Sequence, residues 1–425
     1  MTGGAVALAA VLVYALVAGR LDRWSVTAPL VLVTVGTVLG ESCLGVLHVT
    51  AGAESIKVLA ELTLALLLFA DASTIRLRDA EEDVTLPVRL LGIGLPLTIA
   101  LGALVAHLLF AVSWPEAALI GSLLAPTDAA LGLAVVTNAA VPARIRRALT
   151  IESGLNDGIA TPFVVFFLAV SVAEADHQRW VATSVKELAL ALVFGAGLGW
   201  LVGAVASRAR RAGWTTPLSD ALVVLVTALL AYQGAVAIGA NGFVSAFVAG
   251  SVFGTAARQE LAPATELTED VGLYASFAVW LVFGAVFVGP TLRAGFQWTA
   301  ILYAVLSLTV VRMAPVALAL VGTGMRRDTV AFMGWFGPRG LASVVFTLLV
   351  FEGLHGSPQA AALGRVATWT ILLSVVAHGL SSGPLAAAYA RRLARAPGGL
   401  PEQEDAPDRR SRRRALQERP PTPGA

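Results

Sequence analysis

Thirteen apolar stretches, most of them near twenty residues long, follow one another between residues 4 and 390. They lie at about 4–19, 27–47, 55–73, 87–112, 115–138, 143–172, 187–206, 217–239, 241–257, 270–289, 296–322, 328–352 and 363–390. About twenty apolar residues in a helix cross the hydrocarbon core of a bilayer. Inside lipid the backbone must satisfy its own hydrogen bonds, which leaves only helices and closed barrels. A membrane barrel alternates apolar and polar residues along each strand, and these stretches do not alternate. The chain is therefore predicted to be an all-α polytopic membrane protein with about 13 transmembrane helices. Its composition agrees, with 57% hydrophobic and only 14% charged residues, against about 25% charged in soluble domains.

The loops test the count. Loops after odd-numbered spans carry fourteen basic residues: Arg20, Arg23, Arg76, Arg78, Arg89, Arg144, Arg146, Arg147, Arg208, Arg210, Arg211, Arg258, Arg326 and Arg327. The alternate loops carry five: Lys57, Arg179, Lys186, Arg293 and Arg365. The excess of Lys and Arg on cytoplasmic loops then predicts an N-terminus outside, a C-terminus in the cytoplasm and a place in the plasma membrane. The first stretch lacks a basic leading region and reads as a retained span rather than a signal peptide. Residues 391–425, rich in Arg, Pro and Glu, read as a disordered basic cytoplasmic tail. The single cysteine, Cys43, excludes an internal disulfide, and five scattered histidines have no ligand spacing. His107 and His378, both in apolar stretches, read as helix-to-helix hydrogen bonders. A net charge of +2 marks no nucleic-acid partner, and no cofactor is expected.

Within the sixth span stands Glu152-Ser153-Gly154-Leu155-Asn156-Asp157-Gly158. A charge at mid-bilayer costs about 2.5–3.5 kcal/mol on insertion scales, and ionisable groups there mark ion or proton pathways. On a helix Ser153, Asn156 and Asp157 stand at i, i+3 and i+4, so their oxygens share one face. Gly154 and Gly158 leave a strip where another helix can come close.

Two spans contain helix breakers. The fifth carries Ala125-Pro126-Thr127-Asp128 and the twelfth Gly337-Pro338-Arg339-Gly340. A proline inside a helix removes one hydrogen bond and collides with the carbonyl a turn earlier. The breaks are seven spans apart, an odd offset that gives them opposite orientations. Interrupted helices at corresponding places in two inverted repeats point to the midplane site of a secondary transporter. Opened helices expose half-helix ends with partial charges; Asp128 can compensate the N-terminal kind and Arg339 the C-terminal kind. Arg339 is also the expected ion-pair partner of Glu152, since both are deep and far from any lysine. Asp71, at the end of the third span, can face the same cavity. Glu61 and Arg312 are further polar residues in apolar stretches, assigned here only to helix pairing.

The segments Leu67-Leu68-Phe69-Ala70-Asp71, Ala125-Pro126-Thr127-Asp128, Glu152 to Gly158 and Gly334-Trp335-Phe336-Gly337-Pro338-Arg339-Gly340 resemble the sodium/proton exchanger family, the electroneutral branch of the monovalent cation:proton antiporters. The motifs stand in the family's order and span residues 4–390. The resemblance implies a homodimer, with core helices at about 87–172 and 296–390, two of them broken and crossing. Dimerisation helices would lie at about 4–73 and 217–289. It implies Na+ held by Thr127, Asp128, Ser153 and Asp157, with Asp71 contributing, Asn156 orienting the site and Glu152–Arg339 as a structural pair. Many relatives read Thr-Asp-Pro where this chain has Thr127-Asp128-Ala129, and some carry glutamate at the place of Asp71. The electrogenic branch carries a second aspartate at the place of Asn156, so the resemblance implies one cation exchanged for one proton. Deprotonated Asp157 binds the cation and protonated Asp157 does not. K+ on the same scaffold is the alternative substrate. A passive cation channel is a rival of another kind. An intramembrane hydrolase built on Ser153 and His378 is disfavoured, because Ser153 sits mid-helix without the strained turn of a nucleophile elbow.

Overall fold

The computed structural model describes residues 3–24, 26–49, 53–74, 85–128, 131, 133–172, 177–257, 261–354, 357–396 and 399–403. Among these residues the chain is helical throughout and forms no strand. The helices are α1 (Gly3–Arg23), α2 (Ala28–Leu39), α3 (Glu54–Thr74), α4 (Thr85–Phe110), α5 (Trp114–Leu123), α6 (Leu133–Val136), α7 (Ala143–Val172) and α8 (His177–Arg211). They continue as α9 (Pro217–Ala237), α10 (Gly242–Ala256), α11 (Thr265–Arg293), α12 (Trp298–Ala319), α13 (Arg327–Trp335), α14 (Leu341–Gly353) and α15 (Pro358–Ala394). Eight of them are long and apolar enough to cross a membrane, and α2, α10 and α14 are shorter apolar helices. The fifth and twelfth expected spans are each split, into α5 and α6 and into α13 and α14.

Local chemistry sets the boundaries. Ser113, Thr216 and Ser357 each precede a helix with proline in its first turn, where a missing N–H costs nothing. Asn241 starts α10 by accepting from the Val244 amide at 2.9 Å. The second span, expected over 27–47, is helical only over Ala28–Leu39. Gly40 leaves the helix in an extended conformation, Gly45 turns with φ 62°, and Leu47 returns to bridge Gly40. The thirteenth span is longer than expected and runs to Ala394.

Lipid tails are as apolar as leucine, so membrane helices associate through close packing and small residues. Helix α10 shows this on two sides. Cβ atoms at Gly195 and Gly199 of α8 would stand 2.5 and 2.3 Å from the carbonyl oxygens of Ser245 and Ala249. Cβ atoms at Gly250 and Gly254 would stand 2.4 and 2.2 Å from those of Phe69 and Ser73 in α3. Helices α2, α3, α9, α10 and α11 pack on one another, as do α4, α5, α7, α12, α14 and α15 as a second group. Between these groups α3 packs against α7 and α14.

The tail expected to be disordered from Arg391 begins with ordered residues instead. Residues 391–394 finish α15, and Pro401–Gln403 form a turn against the start of α13. The cause is Glu402, fully buried, whose Oε1 accepts from the Arg326 amide at 2.7 Å and from Thr329 Oγ1 at 2.8 Å. Arg144 Nη1 holds the Pro401 carbonyl. Residues 404–425 lie outside the described residues.

Candidate cation site at the crossing of two broken helices

The two breaks meet. The Asp128 amide donates to the Pro338 carbonyl at 2.8 Å, and the Leu341 amide at the start of α14 donates to Asp128 Oδ2 at 3.2 Å. From the other side, Arg339 Nη1 donates to the Ala125 carbonyl at 2.5 Å. Ser343 Oγ donates to the Leu123 carbonyl at 2.8 Å. Carbonyls at helix C-termini and amides at N-termini lack partners within the helix. Each break's charged residue therefore compensates a half-helix of the other repeat. Gly340 makes this approach possible, since a Cβ there would stand 2.0 Å from Asp128 Cβ.

Helix α7 runs past the crossing with its polar face toward it. Thr127 Oγ1 lies 3.2 Å from Ser153 Oγ and accepts from Asn156 Nδ2 at 2.5 Å. All three side chains are buried. Asn156 Oδ1 and Asp157 Oδ1 are both buried without a hydrogen-bond partner among the described residues. Asp128 and Asp71 are the acids whose charges bear on Asp157. Hydrogen bonds thus bring Thr127, Ser153 and Asn156 together beside Asp157, with Asp128 at the crossing and Asp71 near enough for its charge to bear on Asp157. Gly158 lets α7 lie against α10: a Cβ there would fall 2.1 Å from the Phe247 ring.

The expected Glu152–Arg339 pair does not form. Glu152 accepts a two-pronged bond from Arg312, Nη1 to Oε1 at 2.5 Å and Nη2 to Oε2 at 2.8 Å, with both side chains 2% exposed. Arg339 is drawn elsewhere because open carbonyls compete for it. Besides Ala125 it donates to Ser307, 3.1 Å away, where α12 is interrupted at Thr309. Two isolated guanidiniums and one deep carboxylate are visible in the sequence, but spacing alone cannot say which pair meets. One signal was present: Gly337 has no side chain where Arg312 passes, and a Cβ there would be 2.3 Å from Arg312 Nε. Glu61 of α3 lies beside Tyr232 of α9. His378 does link helices, with Nε2 2.9 Å from the Trp335 carbonyl. His107 instead bonds the Val112 carbonyl just beyond its own helix.

Residues 7–388 match the family described as sodium/hydrogen exchanger, transmembrane. The chain belongs to the sodium/hydrogen exchanger family. Among curated exchanger relatives is a K(+)/H(+) antiporter, NhaP2, of Shewanella sp. (strain ANA-3), 23% identical over 325 residues, 75% of this chain and 55% of that one. A Na(+)/H(+) antiporter of Schizosaccharomyces pombe is 25% identical over 303 residues, 63% of this chain and 64% of its own length. The chain spans about half the length of the NhaP2 relatives it matches. In three dimensions it resembles the sodium proton antiporter MjNhaP1 from Methanocaldococcus jannaschii at pH 8, with a TM-score of 0.72 and 19% identity over 91% of this chain and 98% of that chain. The chain therefore has the antiporter fold of a multi-pass membrane protein and belongs to a family of monovalent cation:proton antiporters.

Proposed function

We propose that the chain exchanges one Na+ for one H+ across the plasma membrane, using Asp157 as the exchanging carboxylate. The observation that carries this reading is the pair of buried acceptor oxygens, Asp157 Oδ1 and Asn156 Oδ1, beside the hydroxyls of Thr127 and Ser153. A hard monovalent cation takes oxygen ligands, and a carboxylate removed from water must be neutralised. A cation arriving at Asp157 neutralises the deprotonated carboxylate; a proton arriving displaces the cation to water. Only the neutralised forms cross between inward- and outward-facing states, so the two fluxes are obligatorily coupled. Asp128 and Asp71 shape the field at the site, and Asn156 orients Thr127. Access alternates as the group containing both broken helices moves against the group containing α2, α3, α10 and α11, the latter forming a homodimer. The N-terminus lies outside and the C-terminus in the cytoplasm.

Potassium is the second reading, favoured by the names of the NhaP2 relatives. The test is recovery of a pH-sensitive dye in everted membrane vesicles after addition of each alkali cation separately. A sodium response well above the potassium response supports the first reading, and the reverse order supports the second. Cation flux without proton counterflow contradicts both and indicates a channel. Asn156 leaves one exchanging carboxylate, so turnover should not follow an imposed potential, which otherwise contributes about 2.3 kcal/mol per charge per 100 mV.

A further inference from the structure

The second break is held at both of its ends by one turn of α15. Before the break, the Trp335 carbonyl ends α13; it accepts from the Gly337 amide at 2.8 Å and lies 2.9 Å from His378 Nε2. After the break, the Arg339 amide donates to Ser374 Oγ at 2.6 Å. Ser374 Oγ lies 3.2 Å from His378 Nδ1. Ser374 and His378 are i and i+4 on α15, both fully buried, so they share one face.

A carbonyl oxygen can only accept, and His378 faces two of them: that of Trp335, 2.9 Å from Nε2, and that of Ser374 in its own helix, 3.0 Å from Nδ1, with Ser374 Oγ 3.2 Å from Nδ1. In the tautomer with hydrogen on Nε2, the imidazole donates to Trp335 and Nδ1 accepts the Ser374 hydroxyl hydrogen, which leaves that hydroxyl oxygen to accept from the Arg339 amide. The clamp uses this tautomer, which gives one ordered chain from the Arg339 amide to Ser374, to His378, to the Trp335 carbonyl. Between the two anchored groups lies Pro338, whose carbonyl receives the Asp128 amide at 2.8 Å.

We propose that His378 and Ser374 are positioning residues of the cation site: they clamp the second break so that Pro338 holds the Asp128 backbone and Leu341 its carboxylate where the cation binds. The inference rests on the exchange function proposed above and adds residues that touch neither the cation nor Asp157. Side-chain amides separate the two halves of the clamp. Glutamine at 378 places an N–H near the position of Nε2; asparagine reaches only the position of Nδ1.

The experiment measures proton-coupled sodium flux in proteoliposomes over a range of sodium concentrations for wild type, His378→Leu, His378→Gln, His378→Asn, Ser374→Ala and Ser374→Thr. His378→Leu and Ser374→Ala should raise KM by about tenfold, a lost hydrogen bond's worth of affinity, with kcat within about twofold of wild type. His378→Gln and Ser374→Thr should recover most of the KM, and His378→Asn should not. His107→Leu, a control at a half-buried histidine away from the breaks, should leave KM unchanged. A wild-type KM in His378→Leu or Ser374→Ala, equal rescue by Gln and Asn, or a loss confined to kcat would overturn the clamp. If His378→Leu does not fold, the Gln–Asn contrast decides alone. A wild type that exchanges no alkali cation for protons fails the proposed function instead.

Discussion

The first break, at residues 124–128, and the second, residues 336–340, meet each other but are built from different materials. The first presents side-chain oxygens, that of Thr127 to α7 and that of Asp128 to the start of α14. The second presents backbone groups and one guanidinium, and surrounds them with donors and acceptors from α12 and α15. Under the proposed exchange, the first break would supply ligands and the second the frame that holds them. A symmetric pair of proline breaks in sequence has become asymmetric in chemistry. The inverted arrangement gives both half-helix ends of opposite sign, while only one of them needs to meet the cation.

The comparison breaks most visibly at Gly340. Gly340→Ala sets a methyl group against the Asp128 side chain, 2.0 Å from its Cβ, and should reduce exchange by more than about a hundredfold. Gly334→Ala, in the same broken helix, meets nothing nearer than 3.4 Å and should retain exchange. Vesicle dye assays on the two variants distinguish a crossing that must be tight from one that merely passes.

Next in size is the buried pair that ties α7 to α12. Glu152→Ala or Arg312→Ala leaves an unpaired charge in the interior and should destabilise the protein by about 3–5 kcal/mol. The double variant should recover part of that loss in thermal unfolding. The cycle between Glu152 and Arg339 should show little coupling, because Arg339 bonds carbonyls of the first break and of α12. Strong Glu152–Arg339 coupling would reassign the frame.

Thr127→Val keeps the shape of the first break and removes both the Asn156 acceptor and a hydroxyl ligand. Apparent sodium KM should rise by about tenfold, while an unchanged KM would remove Thr127 from the site. The smallest effect is expected at the rim. Lys57 and Glu352 pair at 2.7 Å with about a third of each side chain exposed, and Lys57→Met should cost under about 1 kcal/mol in thermal stability.

Much of this was legible in the residues. Helix α7 matches the stretch read at 143–172, and the split spans are those carrying Pro126 and Pro338. Apolar length and proline act locally, so sequence reports them. The polar face of α7 was legible for the same reason, since i, i+3 and i+4 positions share a side whatever surrounds them. Arg339 was misassigned because its partners are backbone carbonyls, which carry no sequence signal until the breaks are placed together. Glu402 was missed because a buried acid in a polar tail looks like any other solvated one. The clamp at Ser374 and His378 was hidden similarly: it bonds the backbone of Trp335 and Arg339, not their side chains.

The central claim is that Asp157 exchanges a cation for a proton within the cup formed by Thr127, Ser153 and Asn156. Sodium-driven proton release from proteoliposomes, wild type beside Asp157→Asn, tests it most directly. The amide keeps the shape and removes the charge. Wild type should exchange, with apparent sodium affinity weakening as pH falls because proton and cation compete for one carboxylate. Asp157→Asn, folded and inserted, should not exchange at any pH. Sodium-coupled proton movement in Asp157→Asn, or wild-type sodium affinity that does not change with pH, would contradict the account.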